Sequence, residues 1–489
     1  MYVDTLTIEN LRSLAAAELE LNRPGTPDLK FPNVNVLLGG NGRGKTTVLR
    51  AAALATLGPL LSASSGYVPD TLIRRTAKAV PKGKPAPGAR LQATLTATGA
   101  DFPAPNGKKS TRQDVRLTLT TTVEPLGTTE RLGWDVEPRA LARDVELAQF
   151  DERGSSFFVV GYGASRRVET SARVDESARA KNRLKRYERV ASLFEDEVTL
   201  MPLSYWLPRY AERNKGRYTQ VVRLMNALLP GSCRMDLEAS TSSAGVAEHL
   251  FVMNGVSLPF RALSDGFRAY VGWIGDMLYH VCMGAGTGLK LQEIEGVVLV
   301  DEIDLHLHPE WQRVVVPTLA EALPKVQFII TTHSPLVVGS LQGRNLFLLD
   351  DEDGATVVKR LPERVHGKSA EQILLSPYFG LETTRAPEVA QALKTLEQRA
   401  TAGDSAASAG YLQLLSGSLQ SEDVKAILAP RSTARAAAAR RASLAPKPAA
   451  KPAAKPAAKP AAKPAAKPVA KPAARTAAKP AAAAKKARR

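Results

Sequence analysis

The chain has 489 residues, with 66 Lys and Arg against 48 Asp and Glu and a net charge of +18. Seventeen of the basic residues and no acid fall within 430–489, which leaves 49 basic and 48 acidic groups in the first 429 residues. A near-neutral body, long enough for two to four domains, therefore carries one polycation, and the composition excludes a collagen, a membrane protein and a disulfide scaffold. Cys233 and Cys282 are the two cysteines and have no paired spacing, so each reads as a small buried hydrophobe rather than a disulfide half or zinc ligand. Met1-Tyr2-Val3-Asp4 has no basic leader, and the longest apolar run, Val271 to Cys282, is interrupted by Gly272, Gly275, Asp276 and His280. The expectation is a cytoplasmic protein with no membrane partner.

In chain order, strands are expected at Val3–Ile8, Glu18–Leu21 and Val34–Leu38, followed by a helix from Lys45 to about Leu57. Alternating runs at Leu91–Thr98, Val115–Val123 and Arg131–Val136 predict an inserted antiparallel sheet. Phe157–Val160 reads as a buried strand that ends in Gly161-Tyr162-Gly163. Helices are expected from Ser171 to about Glu197 and from Tyr205 to Leu229. In the first, the charges at Arg179, Lys181, Arg183, Lys185, Arg186 and Arg189 read as a solvated face, with a short coiled-coil-like arm as the competitor. Asn254-Gly255 predicts a hairpin between Glu248–Met253 and Val256–Pro259, and a helix follows from Ser264 to about Met283. Val297–Val300, Val326–Ile330 and Leu346–Leu349 carry the short apolar pattern of buried parallel strands. From Lys368 to Leu428 the pattern is helical with breaks, and the (Ala-Ala-Lys-Pro) repeat after Pro446 is too Pro-rich for a helix and too polar for a core.

Three strand ends carry chemistry. Gly39-Gly40-Asn41-Gly42-Arg43-Gly44-Lys45-Thr46 fits GxxxxGKT between an expected strand and an expected helix. Its glycines let backbone N–H groups close on phosphate oxygens at a helix N-terminus. The nucleotide-binding set is Gly39, Asn41, Gly42, Gly44, Lys45, Thr46 and Thr47, with Lys45 on the β/γ-phosphates and the Thr46 hydroxyl on Mg²⁺. Val297 to Val300 ends in Asp301 and Glu302, and two carboxylates at a buried strand end are costly unless a metal or substrate uses them. Asp301 is assigned to Mg²⁺ and Glu302 to the attacking water. The next strand delivers His333, placed to reach a γ-phosphate. His306 and His308 lack the accompanying ligands of a zinc site.

Taken in order, these residues resemble the ATP-binding-cassette type of ATPase, in its RecF-like and chromosome-maintenance branch. Leu263-Ser264-Asp265-Gly266-Phe267-Arg268 resembles the family's signature motif, with Asp265 in place of the commoner glycine and Phe267 in place of glutamine. Leu305-His306-Leu307-His308-Pro309 resembles its D-loop, His333 its switch histidine, and Ile8-Glu9-Asn10-Leu11-Arg12 its first strand. More narrowly, Gly161-Tyr162-Gly163-Ala164-Ser165-Arg166, Leu263 to Arg268 and Asp301 to Pro309 are similar to bacterial stand-alone RecF-like or AAA-type ATPases, several of them in anti-phage defence systems. The resemblance implies an α/β P-loop NTPase with an inserted α+β lid, C-terminal helices and a disordered basic tail. It implies ATP and Mg²⁺ as cofactors and hydrolysis to ADP and phosphate. It also implies a head-to-tail homodimer in which Ser264 and Gly266 of one protomer cap ATP held by the other.

The corresponding division is 1–60 and 248–362 for the ATPase, 61–247 for the lid, 363–429 for a helical region and 430–489 for the tail. Catalysis would rest on Lys45, Glu302 and His333. One departure is the absence of a convincing glutamine loop, since Gln113 and Gln149 are poor candidates. Asp350-Asp351-Glu352-Asp353-Gly354 reads as a hairpin turn rather than a nuclease metal site, which assigns any nuclease action to a separate effector. The tail suits non-specific DNA binding by counterion release, and hence nucleoid association, with a spacer role as the alternative. A DNA-repair clamp and a nucleotide-sensing scaffold with little turnover are the rival functions.

Overall fold

The computed structural model describes residues 1–416 apart from 63–68, 76–86, 103–112, 153–155, 169–183, 232, 242–246, 286–288 and 353. The expected tail and most of the charged stretch from Ser171 lie outside the described residues.

Residues Met1–Arg385 form one compact unit. Its strands are β1 Tyr2–Leu11, β2 Leu14–Glu20, β3 Val34–Leu38, β4 Ala89–Ala97, β5 Val115–Leu126, β6 Thr129–Glu137, β7 Val159–Tyr162, β8 Cys233–Thr241, β9 Ala247–Met253, β10 Val256–Pro259, β11 Gly296–Val300, β12 Val326–Thr331, β13 Leu346–Glu352 and β14 Ala355–Lys359. Eleven of them make one sheet in the order β6-β5-β4-β1-β2-β14-β13-β3-β12-β11-β7, and β10-β9-β8 make a second. The alternating strands β4–β6 are antiparallel, as their pattern requires, and they continue the large sheet outward from β1.

The other end of that sheet is parallel, with β13, β3, β12, β11 and β7 side by side. Its strands are apolar at successive positions because both faces are covered. Val34, Val36, Val298, Val300, Phe328 and Ile330 face one core together with the helices Leu203–Arg213, Lys215–Leu228 and Asp265–Gly284. Leu37, Val297, Leu299 and Ile329 face a second core filled by the Ala- and Leu-rich helix α1, Lys45–Thr56. The Asn254-Gly255 hairpin forms as expected, with both residues at positive φ. Cys233 and Cys282 are buried free thiols, and burial raises them to about 11 and about 12.

Two expectations need correction. The helix expected from Tyr205 to Leu229 is two helices, because Asn214 leaves the helical region and caps the second through Arg217 N. The described end of the charged stretch is a single turn, Lys185–Glu188, and a 3₁₀ turn at Ala191–Leu193. Arg186 and Arg189 there are 2% and 5% exposed, not solvated. Their guanidiniums are internal fittings, Arg186 donating to Asp151 O and Ser156 O and Arg189 lying over the Phe158 ring. Charge in the sequence does not distinguish a wet face from a guanidinium that spans backbone carbonyls.

The second unit begins at Ala386. Its described part is a pair of helices, Pro387–Thr401 and Ser405–Leu415, joined at Gly403 and packed through Ala392, Leu396, Ala407 and Leu414.

Candidate nucleotide site at the parallel strand ends

The parallel strands β3, β12, β11 and β7 are consecutive neighbours, so the loops that leave their C-terminal ends share one edge of the sheet. Those loops carry the phosphate motif after β3, His333 after β12, Asp301 and Glu302 after β11, and Gly163–Arg166 after β7.

The loop after β3 turns into α1 through Gly39, Gly42 and Gly44, all at positive φ. Gly39 has no alternative, since a Cβ there would lie 2.4 Å from Leu349 O on β13. Asp350, Asp351 and Glu352 are the paired end of β13 in the expected β13–β14 hairpin, and Arg43 pairs with Asp351, which anchors the loop from outside. Lys45 is 7% exposed, and its Nζ donates to Gly39 O at 2.9 Å and Gly40 O at 3.1 Å. Burial pushes this ammonium below its ordinary value, while Asp301, Glu302 and Asp304 pull it back up. Asn41 and Gly42 are exposed at the tip, and Thr47 is buried in the first turn of α1.

Thr46 Oγ1 donates to Asp301 Oδ2 at 2.7 Å, joining α1 to the end of β11. Thr331, the last residue of β12, links the two carboxylate residues. Its hydroxyl donates to Asp301 Oδ1 at 2.6 Å and accepts from Glu302 N at 2.8 Å. Asp301 is 4% exposed, whereas the Glu302 side chain is only part-buried. Glu302 sits at φ +47°, a strained region for a residue with a Cβ that costs about 1–3 kcal/mol and is held by its surroundings. A hydroxyl and a carboxylate meeting beside a buried ammonium are hard-oxygen donors of the kind Mg²⁺ takes along with phosphate oxygens, so the residues present fit ATP–Mg²⁺.

His333 is exposed, and its backbone N–H donates to Asp304 Oδ1 at 3.4 Å, the carboxylate that also receives the Thr332 hydroxyl. Its imidazole is pushed down by burial and by the nearby Lys45 charge, against Asp304, Glu302 and Asp301. The structure thus brings Lys45, Thr46, Asp301, Glu302 and His333 to one place.

Ser264 and Gly266 sit at the start of the helix Asp265–Gly284 rather than at the strand ends. Ser264 is the exposed N-cap of the helix Asp265–Gly284, and its hydroxyl caps no backbone N–H. Asp265 is 93% exposed at its carboxylate and pairs with Arg268. A Cβ on Gly266 would lie 2.8 Å from His306 O, so the helix start rests against the D-loop-like segment. Phe267, at the family's glutamine position, is an anchor: its ring meets Trp311 edge-on at 4.9 Å. His308 accepts from Glu310 N at 3.4 Å and so caps the helix Pro309–Gln312. Gln149 is fully buried and donates to Thr56 O, while Gln113 is exposed ahead of β5.

Residue reading missed Asp304 and Arg166. Arg166 Nη2 donates to Asp301 O and, at 2.6 Å, to Glu302 O, and its Nε donates to Gly163 O at 3.2 Å. The available signal was the Gly161-Tyr162-Gly163 strand end itself, but nothing local shows which strand it neighbours.

A family model described as "AAA domain, putative AbiEii toxin, Type IV TA system" matches residues 34–339. The Septu protein PtuA of Bacillus thuringiensis is 36% identical over 146 residues, covering 28% of this chain and 36% of that protein. The Retron Ec83 probable ATPase of Escherichia coli is 32% identical over 166 residues, covering 34% of this chain and 30% of that protein. The chain thus spans about a third of the length of these curated relatives. Among solved structures, the SMC head domain from Thermotoga maritima is 14% identical with a TM-score of 0.40, covering 74% of this chain and all of that one. An Smc head domain derived from Pyrococcus furiosus is 16% identical with a TM-score of 0.43, covering 74% of this chain and 96% of that one. Among the described residues, no helix is long and apolar enough to cross a membrane.

Proposed function

Because the chain belongs to the AAA-domain family described as putative AbiEii toxins of type IV toxin–antitoxin systems, we propose that it binds and hydrolyses ATP as a nucleotide-dependent dimeric switch. Its setting is anti-phage defence, and a separate effector delivers the outcome. The observation that carries this reading is the hydrogen-bonded set Thr46–Asp301–Thr331–Glu302 beside Lys45, at the ends of adjacent parallel strands.

The chain's residues divide the reaction among them. The backbone of Gly39–Thr47 cradles the phosphates, and Lys45 offers charge to the β- and γ-phosphoryl oxygens. Thr46 and Asp301 hold Mg²⁺, which neutralises charge on the transferred phosphoryl when bound. Glu302 accepts a proton from the attacking water, and His333 orients the γ-phosphate. Ser264, exposed, and Gly266, half-buried, at the start of the helix Asp265–Gly284 cap the ATP of a second copy, so head-to-tail pairing builds two composite sites.

Glu302→Gln tests this. The variant should bind ATP normally while turnover falls by about 10³-fold, since the water loses its base. Phosphate release at a near-normal rate would remove Glu302 from the mechanism.

The charge arithmetic favours one addition, DNA binding through residues 430–489. If about eight of the seventeen charges there meet phosphates, affinity falls roughly four decades between about 50 and 200 mM salt. Deleting 430–489 should flatten that dependence, and an unchanged dependence would make the tail a spacer. Strong stimulation of turnover by DNA would favour the repair-clamp reading over defence.

A further inference from the structure

The end of β7 and the segment after it connect the carboxylate strand to the helix Asp265–Gly284 by two routes, which touch where the Tyr162 ring meets that of Trp273 at 5.9 Å. In the first, Tyr162 O accepts from Asp301 N at 2.8 Å, while the Tyr162 hydroxyl donates to Asp276 Oδ2 of the helix at 2.7 Å. Asp276 is 3% exposed; its other oxygen accepts from Met201 N at 2.6 Å, and His280 Nε2 lies 3.4 Å from Oδ2. In the second route, the Arg166 guanidinium holds the carbonyls of Asp301 and Glu302 and lies 5.6 Å from the ring of Trp273 on the same helix. Trp273 in turn stacks on Tyr270 at 5.8 Å. A narrow cleft between the three segments is lined by Ala164 and Arg166, by Ala269 and Tyr270, and by Ile303 and His306.

These contacts act at the weak point of the site. β11 ends at Val300, so the carbonyls of Asp301 and Glu302 have left the sheet ladder. Glu302 is at positive φ, a conformation that persists only while its neighbours impose it. Thr331 holds its N–H from one side and Arg166 holds its C=O from the other. A planar guanidinium can bridge successive carbonyls and lie on an aromatic ring at once, whereas an ammonium is a single point of charge.

We infer that Arg166 is a positioning residue that couples the orientation of Asp301 and Glu302 to the helix bearing Ser264 and Gly266. It thereby supplies the connection for which the sequence offers no glutamine loop. The inference rests on the reading that these carboxylates serve ATP hydrolysis. A shift of the helix start on pairing with a second copy reaches Trp273, and Arg166 passes it to the Glu302 backbone.

The test compares wild type, Arg166→Lys and Arg166→Met in ATP binding, steady-state turnover and thermal melting. Arg166→Lys should bind ATP–Mg²⁺ within about threefold of wild type while kcat falls about tenfold, and Arg166→Met should lose about 100-fold in kcat. A purely structural arginine would lower the melting temperature without this split between binding and kcat. If Arg166→Met does not fold, Arg166→Lys decides: wild-type kcat in the folded variant, or a raised KM with unchanged kcat, overturns the inference. If wild type itself shows no turnover, the hydrolysis reading fails separately. Arg166 is then judged by ATP-dependent dimerisation in light scattering. Loss of the dimer in Arg166→Lys supports coupling, and an unchanged dimer overturns it.

Discussion

The strand-end cluster and the start of the helix Asp265–Gly284 are built in opposite ways. In the cluster, the polar groups are tied to one another: Lys45 to loop carbonyls, Thr46 and Thr331 to Asp301, and Asp304 to the His333 loop. At the helix start, Ser264 caps nothing, Asp265 faces solvent, and the segment is secured from behind by Gly266 against His306 and by Phe267 against Trp311. A preorganised arrangement that holds charge in place is what one half of a phosphoryl-transfer site requires. A rigidly backed but unsatisfied helix N-terminus suits a half that meets its ligand across an interface. The contrast therefore favours a site completed by a second copy, with chemistry concentrated in the cluster and assembly in the helix start.

Thr331→Val sharpens the contrast from the cluster side. The substitution keeps the shape but removes the hydroxyl that spans Asp301 and Glu302, and at Thr331 that hydroxyl is fully buried. Glu302 then loses one of the two contacts that hold its strained conformation, and kcat should fall about 100-fold while ATP still binds. A kcat close to wild type would mean that the cluster's internal bonds are incidental.

A smaller effect belongs to the second sheet, β10-β9-β8. His249 on β9 is 4% exposed, stacks on Tyr218 at 5.7 Å, and buries Nε2 without a partner among the described residues. Burial lowers its imidazole to about 4. Because the unfolded chain takes up this proton near pH 6.5 and the folded one does not until about 4, stability is lost as pH falls through that window. The loss should be about 2 kcal/mol between pH 7 and 5. Denaturant titrations of His249→Phe should show that part of the pH dependence removed, and an unchanged dependence would assign it elsewhere.

What could be read from the sequence follows from how local each signal is. The phosphate loop announces itself because one turn must satisfy sterics, N–H direction and charge within eight residues. The strand ending in Asp301 and Glu302 is visible because acids are out of place after Val297–Val300. The Asn254-Gly255 turn is visible because both residues tolerate the positive φ they adopt. The rest depends on pairing that no window contains. Arg166 reaches carbonyls 135 and 136 positions away, and β4 finds β1 rather than a separate sheet. Arg186 and Arg189 look like surface charge until the carbonyls and ring that they meet are in place.

Complementation between two damaged copies tests most directly whether cluster and helix start serve one site from different chains. Lys45→Ala disables the cluster and leaves the helix start intact, and Ser264→Arg does the reverse. Each variant alone should be nearly inactive, and an equal mixture should recover roughly a quarter of wild-type turnover, because half the dimers are mixed and each has one intact composite site. Full activity of Ser264→Arg by itself, or no recovery at any mixing ratio, would contradict the account.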